Sequence, residues 1–124
     1  MTGFYRDFKY KKDILRNGEL ALLVGENLID LQKATNVSGQ NSTAGNVTLT
    51  NVRLAWVSEQ DERVNVSIPW IQIKAVRIEN RSQGQLIVIE TLESAGSFII
   101  GYKIEDADPN AFCARLNAVW QSAL

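Results

Sequence analysis

Hydrophobic and polar positions alternate with period two along most of this chain. Val47 and Leu49, Leu54 and Trp56, and Val66 and Ile68 put apolar side chains at every second position, with short polar runs between the groups. Alternation of this kind marks strands with one face in a core and one in water. The first two groups predict a hairpin turning at Thr50-Asn51, and Glu59 to Glu62 predicts the next turn. Upstream, a first long strand is expected between Asn27 and Asn36, followed by a small, polar surface loop from Ser38 to Gly45. Downstream, Ser82-Gln83-Gly84 reads as a turn, Leu86 to Ile89 as an apolar strand and Ser94-Ala95-Gly96 as a tight turn. Phe98 to Ile104 reads as a last strand, with Gly101 marking a bend or a close backbone approach.

From Ile71 to Glu79 the alternation changes phase, because Ile71 and Ile73 share one parity while Val76 and Ile78 share the other. One extra residue near Lys74-Ala75, a β-bulge, restores both pairs to the core and turns Lys74 and Arg77 outward. Pro69 lacks an N–H and so fits a strand start or an edge strand. Trp70 follows on a segment whose core positions are filled by Ile68, Ile71 and Ile73, which makes it a candidate exposed aromatic at a protein interface. Packing at the rim is the competing reading.

The two ends follow a helical period. Asp108-Pro109 places an N-capping acid before proline at the first helical position, and Phe112, Leu116, Val119, Trp120 and Ala123 then recur at helical spacing. Tyr5 to Asn17 has Phe8, Ile14 and Leu15 for one face and stops at Asn17-Gly18, which predicts a short N-terminal helix. The pattern thus predicts a mainly β fold of six or seven antiparallel strands bent into a barrel. A C-terminal helix plugs one open end through Trp120. Residues 1–19 read as an extension and 20–124 as the domain.

Composition narrows the function more than the fold. At 124 residues the chain is long enough for one self-sufficient core. A single cysteine, Cys113, excludes an internal disulfide. No stretch reads as a membrane span or a signal peptide, so a cytosolic compartment is expected. Five N-x-Ser/Thr sequons begin at Asn36, Asn41, Asn46, Asn65 and Asn80. In that compartment they read as turn and strand-edge asparagines.

The formal charge of -1 argues against nucleic-acid binding. Its distribution is uneven: residues 1–17 and 63–81 each carry an excess of three positive charges, and the chain beyond Arg81 an excess of three negative ones. Catalysis finds no support. The chain has no histidine, so an imidazole base, a Ser-His pair and a His-containing metal site are all excluded. Cys113 without such a partner reads as a small packed residue. No cofactor, metal-binding or catalytic residue is expected.

Five segments in order carry a resemblance: Tyr5-Arg6-Asp7-Phe8-Lys9, Leu20 to Glu26, Thr50-Asn51-Val52-Arg53, Asn65 to Pro69 followed by Ile71-Gln72-Ile73, and Gly101-Tyr102-Lys103-Ile104. Across most of residues 4–105 the chain resembles the family of second pleckstrin-homology-like domains of the fifth Bardet-Biedl syndrome protein, a BBSome subunit. The resemblance implies a pleckstrin-homology-like barrel and a non-enzymatic place in ciliary membrane-protein trafficking. It also implies a cytoplasmic location at the cilium or basal body, peripheral to the ciliary membrane, with acidic phospholipid headgroups and other BBSome subunits as partners. Full proteins of this family hold two such domains in tandem, whereas this chain holds one.

Phosphoinositide-specific pleckstrin-homology domains cluster basic residues on the first two strands and their loop. Here that region offers Lys33, and the Ser38 to Gly45 loop carries no positive charge. The headgroup candidates therefore lie elsewhere: Arg53, Lys74, Arg77, Arg81 and Lys103, supplemented by Lys9, Lys11 and Lys12. The alternative is a scaffold domain that docks other subunits, with Trp70 as its interface residue and no lipid binding of its own.

Overall fold

A computed structural model describes residues 15–16, 19–38, 42–61, 64–82 and 84–124. Two short strands, β1 (Leu15–Arg16) and β2 (Glu19–Leu20), pair with each other. Seven longer ones follow: β3 (Leu28–Asn36), β4 (Thr43–Thr50), β5 (Arg53–Ser58), β6 (Asn65–Pro69), β7 (Ile73–Arg81), β8 (Gly84–Thr91) and β9 (Ile99–Ile104). Helix α1 (Pro109–Ala123) closes the chain. The seven form one antiparallel sheet in the order β6-β5-β4-β3-β9-β8-β7. The N-terminal helix expected over Tyr5 to Asn17 lies mostly outside the described residues; its last described part, β1, is extended.

Alternation sets the core. Val47, Leu49, Leu54, Trp56, Val66 and Ile68 from β4–β6 meet Ile87, Ile89, Ile100 and Tyr102 from β8 and β9, so the sheet folds over on itself. Phe112, Cys113 and Leu116 of α1 complete the cluster, with Val119 and Trp120 packed against it. Asp108 caps the helix by accepting a hydrogen bond from the Asn110 N–H at 3.1 Å, and Pro109 fills the first turn, where an N–H would have no partner. Burial raises the Cys113 thiol above its ordinary range, opposed by a hydrogen bond from Asn117.

Two local devices shape the sheet. The register of β7 on β8 jumps between Ile73 and Ala75, so Lys74 is the extra residue of a bulge, and Ile73, Val76 and Ile78 all reach the core. On β4, a Cβ at Gly45 would stand 2.7 Å from the Trp56 ring and 2.3 Å from the Val57 carbonyl. Glycine there lets the indole lie across the strand and donate from Nε1 to the Ala34 carbonyl at 2.8 Å.

Trp70 departs from its expected place. It is 1% exposed and donates from Nε1 to the Thr50 carbonyl at 2.8 Å, while Ile71 is 69% exposed. The cause is a 3₁₀ turn over Trp70–Gln72, which interrupts the period of two and exchanges the core position between the neighbours. Trp70 is therefore a core residue and offers no exposed aromatic for an interface.

Candidate functional site

The five basic candidates do not converge on one pocket. Arg53 has the outward parity expected of it, yet the segment Ala21–Glu26 lies over that part of the sheet. Arg53 is 4% exposed, and its guanidinium forms a two-pronged bond with Glu26, Nε to Oε2 at 2.8 Å and Nη2 to Oε1 at 3.0 Å. It also donates to the Ser67 hydroxyl at 3.1 Å and the Ala21 carbonyl at 3.1 Å. Burial pushes the Glu26 carboxyl up, but hydrogen bonds from Arg53, the Leu23 N–H and the Thr50 hydroxyl outweigh it and hold the group below the usual carboxylate value. Arg53 is thus a structural cation, and the expectation that it meets a headgroup is withdrawn.

On the outer face of β7–β9 the charges are mixed. Arg77 donates to Glu79 at 2.7 Å and to Glu90, and Arg81 donates to Glu79 at 2.9 Å. Side-chain hydrogen bonds from Arg81 and Arg77 lower the Glu79 carboxyl, and those to Glu79 and Glu90 raise the Arg77 guanidinium. Two carboxylates therefore already face two of the arginines. Lys103 is half-buried on β9 and its Cε reaches within 4.0 Å of where a Cβ on Gly84 would stand, in register with Arg81. Lys74 sits exposed on the bulge at the far end of β7. Seven residue steps of strand separate Lys74 from Arg81, about 23 Å.

The loops between β3 and β4 and between β5 and β6 offer no cationic cluster among the described residues. Lys33 lies 3.8 Å from Glu59 in an exposed ion pair, and Asp61 follows. No group of three or more acidic, cysteine or histidine side chains that could hold a metal occurs among the described residues.

Sequence reasoning overlooked a different cluster. Leu23 to Glu26 form a turn, with the Glu26 N–H donating to the Leu23 carbonyl at 3.0 Å and Gly25 at φ +81°. Asn51 joins this turn to the β4–β5 connection by donating to the Gly25 carbonyl at 3.0 Å and accepting from the Asn27 N–H at 2.6 Å. The Trp70 N–H donates to the Val52 carbonyl at 3.2 Å, which brings in the 3₁₀ turn. Exposed Leu22, Leu23, Val24, Val52 and Ile71 are thereby gathered at one end of the barrel, where α1 packs against the Trp70–Gln72 turn.

The family description "Bardet-Biedl syndrome 5 protein second PH-like domain" matches residues 9–123. The chain belongs to this family. Curated relatives named "BBSome complex member BBS5" are 33% identical in Mus musculus and 35% in Danio rerio, each over 108 residues, 86% of this chain and 32% of the relative. The relative "BBSome complex member bbs-5" of Caenorhabditis elegans is 30% identical over 109 residues. The chain thus spans about a third of the length of the curated relatives it matches.

Among solved structures, the Vps36 N-terminal PH domain superposes with a TM-score of 0.69 at 13% identity, covering 85% of this chain and 86% of that one. The C-terminal domain of an unknown protein from Leishmania infantum gives 0.67 at 19% identity, covering 79% and 87%. At these identities the likeness establishes the PH-like fold alone. The family's fold and the absence of a basic cluster on its first strands therefore coexist in this one chain.

Proposed function

We propose that this domain is a non-enzymatic module of a BBSome-type assembly that traffics membrane proteins into and out of cilia. In this reading it works in the cytoplasm at the cilium or basal body, beside the ciliary membrane and against other subunits. Its own contact with acidic lipid headgroups is weak and electrostatic. The observation that carries the weakness is the pairing of Arg77 and Arg81 with Glu79 and Glu90.

Lys74, Arg77, Arg81 and Lys103 set against those two carboxylates leave a small positive excess. At about 1 kcal/mol per basic residue near an anionic surface, that excess contributes roughly 2 kcal/mol. Less than a factor of about 100 in binding follows, so avidity from a tandem domain or neighbouring subunits must supply the rest.

The test is co-sedimentation with anionic vesicles, comparing the unaltered chain with Lys74→Glu/Lys103→Glu. Binding should fall severalfold in the variant and fall again with added salt in both proteins. Equal binding by the two proteins at low and physiological salt would refute the electrostatic contact.

A docking role also has support, now without Trp70. β6 and β7 stand at the two ends of the sheet order, and among the described residues no strand covers their outer edges. Edges of that kind can accept a strand from a partner.

A further inference from the structure

The two ends of the sheet differ in what they can accept. β6 is five residues long and ends at Pro69, which has no N–H to give. β7 is nine residues long, and among the described residues no strand pairs with its outer side. We infer that this edge pairs with the β7 edge of a second copy of the chain, antiparallel and centred on Ile78, so that two sheets join into one. The inference rests on the free edge of the docking reading and not on membrane contact.

The phase of the β7–β8 hairpin fixes which backbone groups are available. Arg81 pairs with Gly84 with two residues between them, and a connection that short is closed by a hydrogen-bonded pair. Hydrogen-bonded and non-hydrogen-bonded pairs then alternate, so Arg81, Glu79, Arg77 and Ala75 turn their N–H and C=O toward β8. Asn80, Ile78 and Val76 turn theirs outward, where no backbone group of a described residue meets them. The side chains show the same gap. Ile87 and Ile89 of β8 are fully buried, whereas their partners Ile78 and Val76 pack against the same core and stay half-buried. One more strand would cover them.

Charge selects the occupant. Lys74, Arg77 and Arg81 on an edge ordinarily deter a neighbouring strand. Their order nevertheless makes β7 its own complement. With Ile78 opposite Ile78, all three outward residues engage, Val76 opposite Asn80 on either side of the two-fold axis. Arg77 then faces Glu79 of the other copy twice, and Arg81 faces Ala75. Moving the centre to Arg77 sets that residue against itself, and moving it to Glu79 sets Glu79 against itself and Arg77 against Arg81. Opposite charges directly across a strand pair stabilise it, and like charges oppose it. β6 carries no charged residue and imposes no such frame.

Self-pairing of one edge closes at two copies. A single added strand buries less than a standard interface, so the dimer is weak and forms with rising concentration. Its two-fold axis runs through the sheet from face to face, which puts Arg81 and Lys103 of both copies on one side. A weak electrostatic contact is thereby doubled, the avidity that one domain lacks.

The test follows the unaltered chain by sedimentation equilibrium from micromolar to millimolar concentration, where the mass should rise from 13.8 kDa toward twice that value. Over the same range, amide hydrogen exchange read by NMR should slow at Val76, Ile78 and Asn80 and change little at Arg77 and Glu79. Glu79→Arg should weaken association about tenfold, and the exchanged Arg77→Glu/Glu79→Arg should restore it. Thermal midpoints at low concentration show whether each variant is folded; where one is not, the exchange data on the unaltered chain decide.

A 13.8 kDa species at every concentration would overturn the dimer, leaving β7 open to a strand from another subunit and the vesicle result unaffected. A dimer protected elsewhere than at Val76, Ile78 and Asn80 would overturn the assignment to β7. Association lost in Glu79→Arg and not regained by a folded exchanged variant would overturn the frame centred on Ile78.

Discussion

At Glu26 and Arg53 a full ion pair is withdrawn from water, and it is kept because each guanidinium nitrogen meets an acceptor: Glu26 twice, Ser67 and the Ala21 carbonyl. Removing one partner leaves the other charged and buried. Glu26→Ala or Arg53→Met is expected to cost about 3–5 kcal/mol, whereas replacing both by apolar residues should restore most of the loss. Urea denaturation of the two single variants and the double variant measures this directly.

The pair also carries a pH signature. Because the folded Glu26 carboxyl lies below its ordinary value of 4.5, its stabilisation is complete above that value and is lost as the pH falls through the lower folded one. The Glu26→Gln variant should lose less stability between neutral and acid pH than the unaltered chain. At this scale the sequence was only half legible. The outward parity of Arg53 was readable, but its cover by Ala21–Glu26 arises from a contact 27 residues distant, which local alternation does not encode. The lone acid after the apolar run Leu20–Val24 was the available signal.

Among the elements, those governed by local rules were legible. The strand over Leu28–Asn36, the turn after Thr50, the bulge at Lys74 and the Asp108-Pro109 start of α1 all follow from periodicity, phase and capping. The 3₁₀ turn over Trp70–Gln72 did not, since three residues are too few to establish a period. One such turn moved Trp70 inward and Ile71 outward.

The Ser38 to Gly45 loop proved shorter than expected, because β4 already begins at Thr43 and small residues there pair as strand. Gly45 lies within it, and its missing side chain is what allows Trp56 to reach the Ala34 carbonyl. Gly45→Ala should destabilise the fold by about 3 kcal/mol, as overpacking against backbone leaves little room to relax. Thermal unfolding, followed by the fluorescence of Trp56 and its neighbours, reads that cost.

For the whole molecule, the arrangement separates scaffold from contact surface. A bent sheet and one helix supply the core, and on the outer face of β7 and β8 Arg77 and Arg81 are paired with Glu79 and Glu90. The membrane contact proposed for such a surface is shallow, salt-sensitive and dependent on neighbours.

The most direct test is pelleting of the unaltered 124-residue chain with neutral and with anionic vesicles, each at low and physiological salt. The account predicts partial binding to anionic vesicles at low salt, a clear reduction at physiological salt, and little binding to neutral vesicles at either. Equal pelleting with neutral and anionic vesicles, or none with either, would contradict it.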